Sequence, residues 1–138
     1  MGRALAELGC ERAMLVRGRD GMDEMSTGAV TDVVHVDGPA VTTASVDPAE
    51  LGFAPPRDGD IAGSDPAGNA EVLRAVLGGV AGPARDVVVL NAAAALWLAG
   101  AAPDLERAVP VAAESIDGGA ARERLDAFVA TTRRLGGA

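Results

Sequence analysis

The chain contains no lysine: all 12 of its basic residues are arginine. A phosphate-binding Walker loop requires Gly-Lys-Ser/Thr, so Gly78-Gly79 with Gly82 does not make one. There is one histidine, His35, and one cysteine, Cys10, far apart in sequence, which leaves no zinc-binding set. A single cysteine also excludes an internal disulfide. With no signal peptide recognisable, the expectation is a reducing, cytoplasmic compartment. Cys10 is read as a filler rather than a nucleophile, since it has no evident base partner. Acidic residues number 20, giving a net charge of −8. That argues against nucleic acid and anionic membrane surfaces as partners, because both select a basic face. No apolar run reaches the roughly 20 residues of a membrane-spanning helix. The nearest, Val87 to Ala99, is shorter and is interrupted by Asn91. No Ser-His-Asp spacing, no EF-hand loop and no internal repeat is present.

What is present is enough for a folded domain. The chain has 138 residues, 49% of them hydrophobic, too many for a disordered segment and sufficient for one core. Gly2 to Leu8 reads as the end of a helix, and Arg12 to Arg17 as a buried strand. Thr31 to Val36 and Ala40 to Val46 are β-branched runs around Asp37-Gly38, a strong hairpin signal, with Pro39 just after the turn. His35 is expected to be exposed on that hairpin. Residues 47–60 read as mostly loop. Asp65-Pro66 opens a helix as N-cap and first helical residue, and Gly78-Gly79 closes it. Gly82-Pro83 starts an apolar helix that Gly100 stops. In it Trp97 fills a core gap, and Asn91 is a hydrogen-bonded buried amide. Two further helices follow, divided by a break near Pro110 and by Gly118-Gly119. In the last, Ala121, Leu125, Phe128 and Thr132 share the inward face while Arg122, Glu123, Arg133 and Arg134 point away.

The stretch with most chemistry is Asp20-Gly21-Met22-Asp23-Glu24. It follows the apolar run Ala13-Met14-Leu15-Val16 and packs three carboxylates into five residues. Loops after the C-terminal ends of strands are where open α/β sheets bind ligands. Mg²⁺ is commonly held by one or two carboxylates together with substrate phosphates. The alternative is an acidic solvated turn, for which Asp-Gly is also ordinary chemistry.

The surrounding order favours the first reading. Glu11-Arg12-Ala13, the strand, Gly18 and the acidic loop are followed by Ser26-Thr27, Asp47-Pro48 with Leu51-Gly52-Phe53, Gly63-Ser64-Asp65 and Asn69-Ala70. Arg85-Asp86 then leads through valines to Asn91-Ala92-Ala93-Ala94, and Ile116-Asp117-Gly118-Gly119 closes the series. Over nearly its whole length this resembles the C-terminal part of the anthranilate phosphoribosyltransferases. The resemblance implies an α/β fold of the nucleoside-phosphorylase/phosphoribosyltransferase type. Residues 1–138 would be one partial domain: the C-terminal part of a mixed sheet, with parallel strands plus an antiparallel hairpin, covered by helices.

The resemblance also implies an activity, the Mg²⁺-dependent transfer of phosphoribosyl from phosphoribosyl pyrophosphate to anthranilate in tryptophan biosynthesis. By motif, Asp23 and Glu24 are the Mg²⁺ ligands, and Asp20 and Gly21 shape their loop. No general base is assigned. The family's N-terminal helical domain, its Gly-Thr-Gly-Gly-Asp loop, its Lys-His-Gly-Asn segment and the arginine that meets anthranilate have no counterpart here. The chain is therefore expected to be inactive without an N-terminal half, and the full-length form to be a homodimer. Arg17 stands where a histidine is common, Met22 where leucine is usual, and Ser64 replaces a glycine of Gly-Gly-Asp. Two alternatives stay open: a nucleoside-phosphorylase-type relative, and a non-catalytic remnant or subunit.

Overall fold

Three apolar, β-branched runs form the sheet. In the computed structural model, which describes residues 1–137, they are β1 (Arg12–Gly18), β2 (Thr31–Asp37) and β3 (Ala40–Val46). The order is β1-β2-β3. Arg12 lies opposite Asp37 and Gly18 opposite Thr31, while Thr31 lies opposite Val46 and Asp37 opposite Ala40. The hairpin is where the sequence puts it, but its turn is Gly38-Pro39 rather than Asp37-Gly38. Gly38 has φ of 53°, and proline cannot follow it into that region. A positive φ at the first central position alone is the chemistry of a type II′ hairpin.

The α/β class holds, but the direction of β1 differs from expectation. It pairs antiparallel with β2, and no parallel pair occurs among the described residues. A parallel neighbour needs a crossover of a dozen or more residues, usually with a helix. Residues 19–30 contain no helix and turn the chain straight back. β1 is correspondingly half-buried rather than fully enclosed.

Both faces of β2 are covered. Helix α1 (Gly2–Glu7) lies on the face of Val34 and Val36. A Cβ at Gly2 would stand 2.9 Å from Val34 Cγ1. Side chains alternate along a strand, so Thr31, Val33 and His35 belong to the opposite face, and Thr31 and Val33 are buried. His35 is therefore half-buried, not exposed. Its ring meets Trp97 edge-on, with centroids 4.6 Å apart.

The helical layer supplies the main core. A single 3₁₀ turn, Pro48–Leu51, interrupts the loop after β3. Helix α2 (Pro66–Leu77) starts as the sequence indicates: Asp65 accepts a hydrogen bond from the Gly68 amide at 2.8 Å. Helix α3 (Pro83–Leu98) buries Val89, Leu90, Ala93 and Ala94 against Leu105, Ala108, Ala112 and Ile116 of α4 (Leu105–Asp117). Alanines at the contact let the two helices approach closely. Arg85 at the start of α3 grips Asp117 at the end of α4 through bonds of 2.7 and 3.0 Å.

Pro110 does not break the chain but lies inside α4. It removes the bond to the Glu106 carbonyl. Both residues are exposed, so that carbonyl is left to water. The buried stripe of α4 runs on through this point and outweighs the lost bond.

Helix α5 (Ala120–Gly136) buries no residue. The inward face expected for it is also displaced. Leu125 and Val129 are half-buried facing α2, whereas Phe128 is 66% exposed, and Arg122 and Arg133 flank the α2 groove instead of pointing away from it. The sequence shows an amphipathic helix but not which neighbour it meets. No helix among the described residues is long and apolar enough to cross a membrane.

Candidate functional site

The acidic loop begins where β1 ends. The backbone closes on itself there: Gly18 N–H donates to the Met22 carbonyl at 2.8 Å, and Gly21 N–H to the Gly18 carbonyl at 3.0 Å. Gly21 has φ of 100°. Gly18 is buried, and a Cβ on it would collide with the Asp20 carboxylate and stand 3.1 Å from Ser26 Cβ. A side chain there would displace the Asp20 carboxylate from its place in the loop.

Four side chains outside the acidic pair, Asp20, Ser26, Thr31 and Asn91, hold the loop. The Ser26 hydroxyl donates to Asp20 Oδ2 at 2.6 Å and accepts from the amides of Gly28 and Ala29 at 2.9 and 3.2 Å. Asp20 Oδ1 accepts from the Met22 amide at 3.3 Å. Thr31, at the start of β2, accepts from the Ser26 amide at 3.1 Å. Asn91 of α3 binds Met25 on both sides: its Oδ1 accepts from Met25 N–H at 2.9 Å, and its Nδ2 donates to the Met25 carbonyl at 2.9 Å. Nδ2 also donates to the Val87 carbonyl at 3.0 Å. Met25 itself is 1% exposed. The residue directly after Glu24 is thus locked into the core by an amide from the next layer.

Asp23 and Glu24 stand differently. Both are exposed, the backbone bends at each, and among the described residues neither carboxylate has a hydrogen-bond or ion-pair partner. A strand would send adjacent side chains to opposite faces; the bend relieves that constraint. Asp20 is committed to Ser26, so two free carboxylates remain. No group of three or more His, Cys, Asp or Glu among the described residues is placed to hold a metal. The donor set therefore suits Mg²⁺ carried with substrate oxygens and water, not a cage built by this chain alone.

The hydrogen bond from Ser26 holds the Asp20 carboxyl below its ordinary range, against the opposing effect of burial. A depressed folded value means the stabilisation is fully present above the unfolded value, about 3.9, and is lost as pH falls through the folded value. Ser26→Ala should return Asp20 to the ordinary carboxylate range in an NMR titration. An unchanged titration would mean that Ser26 is not the cause. Beside the loop, Arg19 grips Asp32 at 2.7 Å and lowers its pKa. Both partners are exposed, so this pair contributes little stability. Asp86, in the first turn of α3, is pushed up by burial, and Arg85 opposes the shift.

Ser26, Thr31 and Asn91 were not assigned to the site from the sequence. Ser26-Thr27, one residue beyond the acidic pair, was the available signal for the first. Thr27 is 2% exposed, and its hydroxyl has no partner among the described residues.

Residues 1–122 match the family model described as the a/b domain of a glycosyl transferase family. A curated relative, the anthranilate phosphoribosyltransferase of Syntrophobacter fumaroxidans, is 52% identical over 130 residues, which is 94% of this chain and 39% of the relative. The crystal structure of anthranilate phosphoribosyltransferase from Thermus thermophilus superposes with a TM-score of 0.82 at 33% identity, over 94% of this chain and 38% of that one. The Saccharomyces cerevisiae enzyme in complex with PRPP and Mg gives 0.78 at 27% identity, over 86% and 34%. The chain thus spans about two fifths of the length of the curated relatives it matches. With the family model matched over residues 1–122 and the fold in agreement, the chain belongs to this glycosyl transferase family, and its similarity within it is to the C-terminal part of anthranilate phosphoribosyltransferases.

Proposed function

We propose that this chain forms the Mg²⁺–diphosphate side of an anthranilate phosphoribosyltransferase site, with Asp23 and Glu24 as the protein ligands of the ion. The observation that carries this reading is the pair itself: two adjacent, exposed carboxylates, without a partner among the described residues, on a loop held by Ser26, Thr31 and Asn91. The similar yeast enzyme, in complex with PRPP and Mg, supports the same ligand chemistry.

In the reaction the amine of anthranilate attacks the anomeric carbon of phosphoribosyl pyrophosphate. The carbon–oxygen bond to pyrophosphate breaks, its electron pair leaves with the pyrophosphate, and the proton lost by the amine passes to solvent or to the departing pyrophosphate. When bound, Mg²⁺ supplies charge neutralisation and orientation for that leaving group. Asp23 and Glu24 fix where the ion sits. Asp20, tied to Ser26, and Gly21 fix the shape of the loop that presents them. No side chain here is placed as a general base, and positioning with charge stabilisation is the chain's contribution.

The substrates' remaining contacts belong to sequence beyond this chain. The test is to join these residues to the upstream three fifths of the Syntrophobacter relative and assay transfer. Turnover by the joined protein, with none by the chain alone, is expected. An inert joined protein of normal folding would favour the non-catalytic reading.

A further inference from the structure

We propose that the groove between α2 and α5 is a binding site for a small organic anion, a phosphate or carboxylate on an apolar body. The two helices face each other across a cavity of about 390 Å³, within the size range of small-molecule sites. Half-buried Leu77, Leu125 and Val129 supply its apolar wall, and Arg74, Arg122 and Arg133 line it with exposed guanidinium groups. Asp126 is the single carboxylate among the lining residues.

This excess of positive charge runs against the composition. The protein carries a net charge of −8, and Arg19, Arg85 and Arg107 each grip an aspartate at 2.6–2.7 Å. Among the described residues, none of the three groove arginines has a carboxylate within ion-pairing distance, although Asp126 lines the same cavity. Helix electrostatics explain two of them, since Arg74 and Arg133 lie in the last turns of α2 and α5, where a cation is favoured. They do not explain Arg122. It is the third residue of α5, at the positive end of the helix, where a cation is disfavoured. An anion between the helices would offset part of this charge, and guanidinium groups are suited to bidentate recognition of phosphate or carboxylate. Its apolar body would also cover α5, which buries nothing in this structure. No residue of the groove belongs to the acidic loop, so the site stands apart from the proposed Mg²⁺ ligands.

The experiment is an amide NMR titration of the 138-residue chain without metal. Four probes separate the components: phenylphosphonate, benzoate, inorganic phosphate, and benzyl alcohol as the uncharged body. Saturable shifts confined to α2 and α5 are expected with phenylphosphonate, benzoate or both, and the stronger of the two identifies the anionic group. Inorganic phosphate should bind more weakly, and benzyl alcohol should not saturate. Arg122→Gln and Arg74→Gln, one on each helix, should each weaken binding roughly tenfold, while Arg57→Gln, which does not line the groove, should not. The proposal is overturned if no probe saturates at millimolar concentration. It is equally overturned if the shifts fall outside the two helices, or if Arg57→Gln weakens binding as much as the groove variants.

Discussion

Asp23→Asn and Glu24→Gln are each expected to lower Mg²⁺-dependent phosphoribosyl transfer by about 10²–10³-fold in the chain joined to the upstream part of a relative. That range is typical of deleting one group that stabilises transition-state charge. Each change keeps the size of the side chain and removes its charge. Both positions are exposed and make no side-chain hydrogen bond or ion pair among the described residues, so the unfolding midpoint should stay where it is. The concentration of Mg²⁺ needed for half-maximal rate should rise, which a change in folding alone would not cause. Asp20→Asn should differ in kind. It weakens the bond to Ser26 at 2.6 Å and acts on the shape of the loop, so its effect should be smaller and accompanied by increased hydrogen exchange across residues 19–30. Wild-type rates in both Asp23→Asn and Glu24→Gln would remove these carboxylates from the reaction.

The second large effect is on stability. Asn91→Leu should destabilise the isolated chain by about 2–4 kcal/mol, because it strips partners from both backbone groups of Met25, each costing about 1–3 kcal/mol when buried and unpaired. Met25 is 1% exposed, so water cannot replace the amide without opening the core. Chemical unfolding measures the loss, and hydrogen exchange at Met25 and Ser26 locates it. Asn91→Asp keeps an acceptor for the Met25 amide but sets a carboxylate against the Met25 carbonyl, so it should also destabilise. In the joined protein the same substitutions should slow transfer, since the clamp lies one residue from Glu24. A loss within about 0.5 kcal/mol for Asn91→Leu, the range of an ordinary surface change, would mean that the loop is held by something else.

Legibility in the sequence followed the range of the interaction concerned. Asp65-Pro66 and Gly82-Pro83 marked helix starts because capping and proline geometry act within a few residues. The hairpin strands were visible for the same reason, although proline moved the turn by one position. The direction of β1, the burial of His35 and the face of α5 depend on which distant element lies alongside, and periodicity does not carry that. Pro110 shows local preference losing to packing: the stripe from Leu105 to Ile116 keeps α4 helical across a residue that disfavours it. The carboxylates of residues 20–24 stood out by their spacing, while the ligand role proposed for Asp23 and Glu24 came from the family resemblance. Asn91 could be read as a hydrogen-bonded amide, but its partner Met25 lies 66 residues away. Ser26 was passed over because a serine after an acidic run is equally ordinary in any turn.

The most direct measurement is an anomalous difference map from crystals of the joined protein, grown with Mn²⁺ in place of Mg²⁺ and soaked with phosphoribosyl pyrophosphate. The expected result is a manganese peak in coordination contact with carboxylate oxygens of Asp23 and Glu24 and with oxygens of the diphosphate. A well-occupied diphosphate whose metal peaks lie elsewhere, with both side chains turned to solvent, would contradict it.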